Sequence, residues 1–209
     1  MIERWRRLLR KRPRHGVFTA HPAWILFERL LIAAECMGIP VLVVWLNGRI
    51  KRNTRLLSEE EIRLARSILG NSIDYSRVRI DEKAVVGCRR GNFAYVGFQV
   101  INSWGPLSAA HFIHEMVHIW QFQRHGAGYI ACALWAQRTA RGYNYGGMDA
   151  LYRAARQGQG LEAFNYEQQG DIVADYFRLS TGQAPRWCEN RPEHLPVFEK
   201  IIRRSISTE

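Results

Sequence analysis

From residue 56 onward, apolar residues return every three or four positions, and Gly, Asn and Pro punctuate the runs. Ile62, Leu64, Ala65, Ile68 and Leu69 fall at helical spacing. Ser58-Glu59-Glu60-Glu61 precedes them as a capping box, in which the Ser58 hydroxyl accepts from the Glu61 amide and Glu61 reaches back. Gly70-Asn71 closes that helix. The β-branched alternation of Tyr75 to Ile80 (YSRVRI) predicts a strand, and Asn92 to Asn102 (NFAYVGFQVIN) predicts another. Gly87, Arg89, Arg90 and Gly91 supply a turn between them, which predicts a hairpin. Pro106 suits the first turn of a helix running to about Arg124, where Gly126 and Gly128 stop it. Further helices are predicted over residues 165–177 and, after a loop at 187–192, over residues 193–206. These elements predict an α+β fold: a mostly helical domain over residues 56–209 with a small antiparallel sheet packed against the helix that follows Pro106.

Residues 16–53 are apolar with little amphipathic order. Ala23 to Leu46 is long enough to cross a bilayer, but it contains Glu28, Arg29, Glu35 and the helix-breaking Pro40. A charge at the centre of a membrane helix costs roughly 2.5–3.5 kcal/mol on insertion scales, which counts against a clean span. The same charges interrupt the apolar core that a signal peptide needs. Two readings remain for this segment. One is a helix plus a buried strand (Val41 to Leu46) packed within the domain. The other is a peripheral or weakly inserted membrane anchor aided by the basic residues ahead of it.

Charge bears on the second reading. The 209 residues carry a net charge of +11, and residues 1–15 hold seven Arg and Lys against Glu3 alone. A basic head of this kind suits an anionic membrane surface, a nucleic-acid backbone or another acidic surface, or is simply a solvated tail. It lacks interleaved aromatics beyond Trp5 and any nucleic-acid motif, which counts against nucleic acid. The 47% hydrophobic and 23% charged fractions are ordinary globular values and exclude wholesale disorder. Cys36, Cys88, Cys132 and Cys188 form no CxxC pair, which argues against a cysteine metal site and for free thiols in a reducing compartment. A cytoplasmic or membrane-associated location follows.

The chemistry lies in the helix after Pro106. His114-Glu115-Met116-Val117-His118 is an HExxH motif. Four residues make about 1.1 helical turns, so His114 and His118 stand one above the other on one face and can meet one Zn²⁺. Glu115 can reach an activated water as general base. Apolar Ile113, Met116, Val117 and Trp120 would wrap this helix in core. The bland reading is a pair of satisfied core histidines beside a salt-bridged Glu. A catalytic zinc site needs a third protein ligand, and positions 121 and 124 hold Gln and Arg. Glu167, Asp171 and Asp175 are spaced i, i+4, i+8 on the later helix. Three acids on one face are costly unless a cation or donors meet them. Glu167 is the expected third ligand and Asp171 the carboxylate that holds the outer nitrogen of a ligand His, with the roles open to exchange. His111, three residues ahead of His114, is a weaker ligand candidate, and an exposed acidic face is the ordinary alternative for the three acids.

This two-helix signature resembles the gluzincin-type zincin metallopeptidases. More closely, LLSEEEIRLARSILGNSIDYSRVRI, HFIHEMVHIWQFQ and NYEQQGDIVADYF resemble a bacterial family of small zincin-like proteins labelled Vgr-related or Rhs-element-associated. The resemblance leaves the first 55 residues uncovered. It implies a zinc cofactor, a peptide or protein substrate, and an edge strand ahead of the motif helix, over Ala94 to Asn102, that pairs with the substrate. It also implies a Tyr or His that stabilises the oxyanion, for which Tyr143, Tyr145 and Tyr152 are candidates between the two site helices. The resulting expectation is a zinc-dependent metallopeptidase with Glu115 as general base. The competing reading is a non-catalytic zincin-like adaptor that binds zinc and works with a bacterial secretion or envelope complex.

Overall fold

The computed structural model describes residues 22–50, 53–85, 88–91 and 93–206. The basic head at 1–15 lies outside them. Two helices come first, α1 (Pro22–Cys36) and α2 (Ile39–Ile50), joined at Gly38, whose φ of 79° lets the chain turn back. The expected buried strand at Val41 to Leu46 is therefore helical, and Val41 and Leu42 are exposed. Pro40 sits in the first turn of α2, where its missing N–H breaks no helical hydrogen bond, so it starts this helix instead of ending one. Among the described residues no helix is long and apolar enough to cross a membrane.

Strand β1 (Thr54–Leu56) leads to α3 (Glu59–Leu69), whose predicted capping box is formed. The run at 75–80 is not one strand. Tyr75–Arg77 is a 3₁₀ turn and strand β2 is Arg79–Asp81. The turn is held locally: the Ser76 hydroxyl donates to Asp74 (2.5 Å) and the Tyr75 hydroxyl donates to the Gly70 carbonyl (2.7 Å). The predicted strand at 92–102 divides into β3 (Tyr95–Gly97) and β4 (Val100–Asn102), folded back at Phe98, which takes a φ of 60°.

The sheet order is β1-β2-β4-β3. It is mixed, not antiparallel as expected: β2 and β4 run parallel, with Ile80 opposite Ile101. The segment between β2 and β3 includes a short helix, α4 (Cys88–Gly91), and is long enough to serve as a crossover instead of a hairpin turn. Among the described residues this leaves β3 at one edge of the sheet.

The motif helix α5 spans Ala109–His125 and starts later than Pro106, because Ser108 caps it by accepting from the His111 amide. Gly126 ends it at φ 71°, while Gly128 opens α6 (Gly128–Gln137). Helix α7 (Gly147–Arg156) and a 3₁₀ turn (Leu161–Ala163) lead to α8 (Tyr166–Ser180), which is capped at Asn165 by a second capping box with Gln168. A 3₁₀ turn (Pro192–His194) and α9 (Leu195–Ile206) close the chain as predicted. Helices α5 and α8 pack on one another through the centre of the core. Ile113, Met116, Val117 and Ile119 from α5 and Ile172 and Val173 from α8 are fully buried. The sheet covers one side of α5, so the observed architecture is α+β and mostly helical.

Candidate metal centre

Thirteen of the seventeen residues of α5 are buried, which places both motif histidines inside the protein. Helix α8 crosses them closely. A Cβ added at Gly170 would lie 2.6–2.9 Å from three atoms of the His114 ring, so only glycine admits the ring at this crossing. His114 Nε2 is 3.4 Å and His118 Nε2 is 3.3 Å from Glu167 Oε2. Two bonds of about 2.0–2.1 Å meeting at a tetrahedral angle hold their outer atoms about 3.3–3.4 Å apart, so the observed spacing matches the edges of such a tetrahedron. Among the described residues this is the group of His, Cys, Asp and Glu whose ligand atoms converge, all within 4.8 Å of one another.

The outer nitrogens are occupied in the way that frees the inner ones. Asp171 Oδ1 lies 2.9 Å from His114 Nδ1. Gln121 donates its amide N–H groups to the Tyr166 carbonyl and to Gln169 Oε1, both at 2.9 Å. Its Oε1 therefore faces His118 Nδ1 at 2.7 Å as an acceptor. With a metal in place of the Nε2 proton, each imidazole would donate from Nδ1 and offer its Nε2 lone pair to the ion. Glu167 is fixed through its other oxygen, which accepts from Gln137 Nε2 at 3.0 Å. Its Oε2 is buried with no hydrogen-bond partner, as is Glu115 Oε2. An orphaned carboxylate oxygen between two imidazoles is costly unless a cation or proton joins them. The donor set thus fits a divalent metal, and its imidazole-carboxylate chemistry suits zinc.

The protonation balance points the same way. Burial alone would lower the His114 pKa, but the Asp171 and Glu167 carboxylates outweigh it and push it up to about 10. His118 also rises, against its own burial, because of Glu167. The same contacts hold the Glu167 and Asp171 carboxyls well below their ordinary range despite burial. His114 therefore holds a proton at neutral pH when no metal is bound.

The centre opens on a cavity of about 690 Å³. Edge strand β3 forms one wall, and Ile130, Ala133 and Leu134 of α6 form another. Glu115 and Asp171 also line it. His111 stands half open to solvent with Nε2 3.3 Å from Glu115 Oε1, so it neighbours the general-base candidate and not the Glu167 oxygen.

The three candidate tyrosines separate. Tyr143 lines the cavity with its ring centroid 6.0 Å from that of His114. Burial and the nearby Glu167, Glu115 and Asp171 charges hold its hydroxyl pKa well above the usual value, so it remains a donor. Tyr145 is buried elsewhere and donates to Asp175 at 3.0 Å. Tyr152 is on helix α7, where its hydroxyl meets His194 at 3.2 Å. The segment between the site helices is itself mostly helical, and it carries these two side chains away from the metal ligands.

Asp175 is likewise apart from the metal face. It accepts from Tyr145, from the Arg178 side chain (2.7 Å) and from the backbone N–H of Arg186 (2.7 Å) and Trp187 (3.0 Å). The strap so fixed returns to the centre: the Trp187 indole N–H donates to Asp171 Oδ2, and Arg186 lies 3.7 Å from the same oxygen and 5.9 Å above the Tyr143 ring. Sequence reasoning missed Gln121, Gly170, Arg186 and Trp187. Gly170 had a signal, a lone glycine within an otherwise regular helical run. Gln121 had one too, three residues past His118 on the same face.

No protein-family model matches the chain. In an alignment of 135 positions that covers 59% of its length, it is 38% identical to the type VI secretion system spike protein VgrG2b of Pseudomonas aeruginosa. The matched part is 13% of that protein, so the chain is related by sequence to a small segment of it. Among solved structures, the effector domain of Pseudomonas aeruginosa VgrG2b is 27% identical, with a TM-score of 0.44, covering 72% of this chain and 90% of that one.

Proposed function

We propose that this chain is a zinc-dependent peptidase acting as an effector linked to a type VI secretion apparatus. The observation that carries the chemistry is the convergence of His114 Nε2, His118 Nε2 and Glu167 Oε2 with the Glu115 carboxylate beside them in an open cavity. The secretion link rests on the sequence relation to the VgrG2b spike protein.

His114, His118 and Glu167 would hold the metal. Zinc, when bound, supplies a water of lowered pKa and a Lewis acid for a scissile carbonyl. Asp171 and Gln121 fix the two imidazoles in the required tautomer. Glu115 accepts the proton of the attacking water and delivers it to the leaving amine, so the C–N bond breaks with no net proton consumed by the protein. Tyr143, kept protonated, donates to the oxyanion. An extended peptide pairs along β3, which lines the cavity at the edge of the sheet, and the apolar wall of α6 takes a side chain.

The test joins metal analysis to cleavage of a peptide library by the purified chain. One zinc per chain is expected, with Glu115→Gln keeping the zinc and losing cleavage by about 10²–10⁴-fold. Normal cleavage by that variant, or wild-type chain that takes up no zinc, overturns the reading. Stoichiometric zinc without hydrolysis of any peptide favours the non-catalytic adaptor instead.

A further inference from the structure

Among the described residues, the acids and bases that line the cavity are Glu115, Glu167 and Asp171 with Arg178 and Arg186, beside the three histidines. Most of these charges are already matched. Glu167 faces both imidazoles, and Asp171 accepts from the Trp187 indole while it holds His114. Glu115 stands beside His111 as the general-base candidate. Arg178 donates to the buried Asp175 carboxylate at 2.7 Å, and its own side chain is only 22% exposed.

Arg186 differs. Its side chain is 55% exposed, and its nearest carboxylate oxygen, Asp171 Oδ2, is 3.7 Å away, beyond hydrogen-bond reach. The Trp187 N–H already occupies that oxygen. The guanidinium lies over the Trp187 ring at 4.8 Å and over the Tyr143 ring at 5.9 Å. Aromatic faces attract the positive charge, but they supply none of the lone pairs that its five N–H donors are built to meet. The backbone is fixed as well, because the Arg186 N–H donates to Asp175 at 2.7 Å.

An exposed ion pair between two freely moving side chains is worth little, since ordering both costs entropy. Here one partner is already placed on two rings and an anchored strap, so less is lost when an anion arrives. The planar fork of an arginine matches a carboxylate in two parallel hydrogen bonds. Only the Asp171 carboxylate stands between Arg186 and His114, which keeps the fork close to the reacting centre. An extended peptide advances about 3.3 Å per residue, so a group that meets Arg186 belongs to a residue near the scissile bond.

We infer that Arg186 selects substrates that carry a carboxylate beside the scissile bond, either an Asp or Glu side chain or the free C-terminus of the peptide. The inference rests on the peptidase reading and names the substrate class of that site. Arg186 is a specificity residue: it receives the anion, while Glu115 and Tyr143 act at the scissile group.

The test measures binding by calorimetry on the zinc-loaded Glu115→Gln chain. One set of end-blocked peptide pools carries Glu at a fixed position, which is moved along the peptide, and a second set carries Gln there. A third set has Gln and a free C-terminal carboxylate. A carboxylate-bearing set is expected to bind at least about tenfold more tightly than blocked Gln peptides at one position, with a preference that falls as salt rises. Whichever set gains, Glu or free C-terminus, identifies the source of the carboxylate. Adding Arg186→Gln is expected to make all three sets bind alike. That variant keeps the backbone N–H that Asp175 holds, so its melting temperature and zinc content should match the parent. Equal binding of all sets by the Arg186 chain overturns the inference. So does a preference that survives Arg186→Gln, which would assign the carboxylate to the metal. Because binding is read without turnover, loss of the peptidase reading, seen as no cleavage of any peptide by the wild-type chain, is distinguishable from loss of the carboxylate preference.

Discussion

The α5–α8 crossing and the α1–α2 hairpin use opposite strategies. At the crossing, charged and polar groups are buried, and they are matched by partners except at one oxygen each of Glu115 and Glu167. In the hairpin, apolar groups face outward while the acids are turned in. Burial of ions is expensive unless each is matched, so the crossing tolerates almost no change. Leu26 and Leu30 on the exposed face are more than half open to solvent, so they can vary at little cost to the fold. Buried polar groups are concentrated at the crossing, and open apolar surface at the hairpin.

Removing a ligand breaks the comparison most severely. His118→Ala leaves Glu167 facing one imidazole, and the chain is expected to lose its bound zinc and all cleavage, as read by metal analysis on the purified variant. Asp171→Asn keeps the three ligands but weakens the hold on His114, and an expected 10–100-fold loss of zinc affinity is measurable by competition with a chelator. If affinity is unchanged, the orienting role of Asp171 is wrong.

Gly170→Ala sharpens the packing side. Ala gains about 1 kcal/mol in helix propensity, but its Cβ meets the His114 ring at 2.6–2.9 Å. Overpacking costs roughly 1–3 kcal/mol, so a net loss of stability is expected by chemical denaturation, together with weaker metal binding. A more stable variant would show that α8 can back away from His114.

The pH response separates the metal-free and loaded chains. The His114 pKa is raised to about 10 from an ordinary value of about 6.5. In the metal-free chain, its proton therefore stabilises the fold in full below about pH 6.5, and this contribution is lost as pH rises through about 10. Melting temperature should fall over that window. A bound metal replaces the proton, so the loaded chain should lack the decline. The smallest effect is expected at the hairpin, where Leu26→Ser with Leu30→Ser shifts stability by no more than about 0.5 kcal/mol per site.

Much of the centre was legible because its signals are local. HExxH sets two imidazoles on one face by helical spacing alone, and Glu167 with Asp171 repeats that logic on a second helix. Capping at Ser58 is likewise written in four consecutive residues. What failed was long-range or competitive. The parallel pairing of β2 with β4 depends on a crossover that no local pattern announces. Val41 to Leu46 has a β-branched composition, yet it continues a helix begun at Ile39. Tyr143, Tyr145 and Tyr152 are equivalent in sequence, and only the path of the chain distinguishes them. Arg186 and Trp187 reach Asp171 from a strap whose position is set by hydrogen bonds to Asp175.

That last carboxylate makes one helix the common reference for the whole assembly. Asp175 lies on α8 with Glu167 and Asp171, and it anchors the strap by two backbone N–H groups. Any tilt of α8 would carry a ligand, the group that aligns a ligand, and the cavity-rim arginine together. Their mutual spacing is then insensitive to breathing of the surrounding domain, and alignment with His114 and His118 comes down to a single contact, the crossing of α8 with α5.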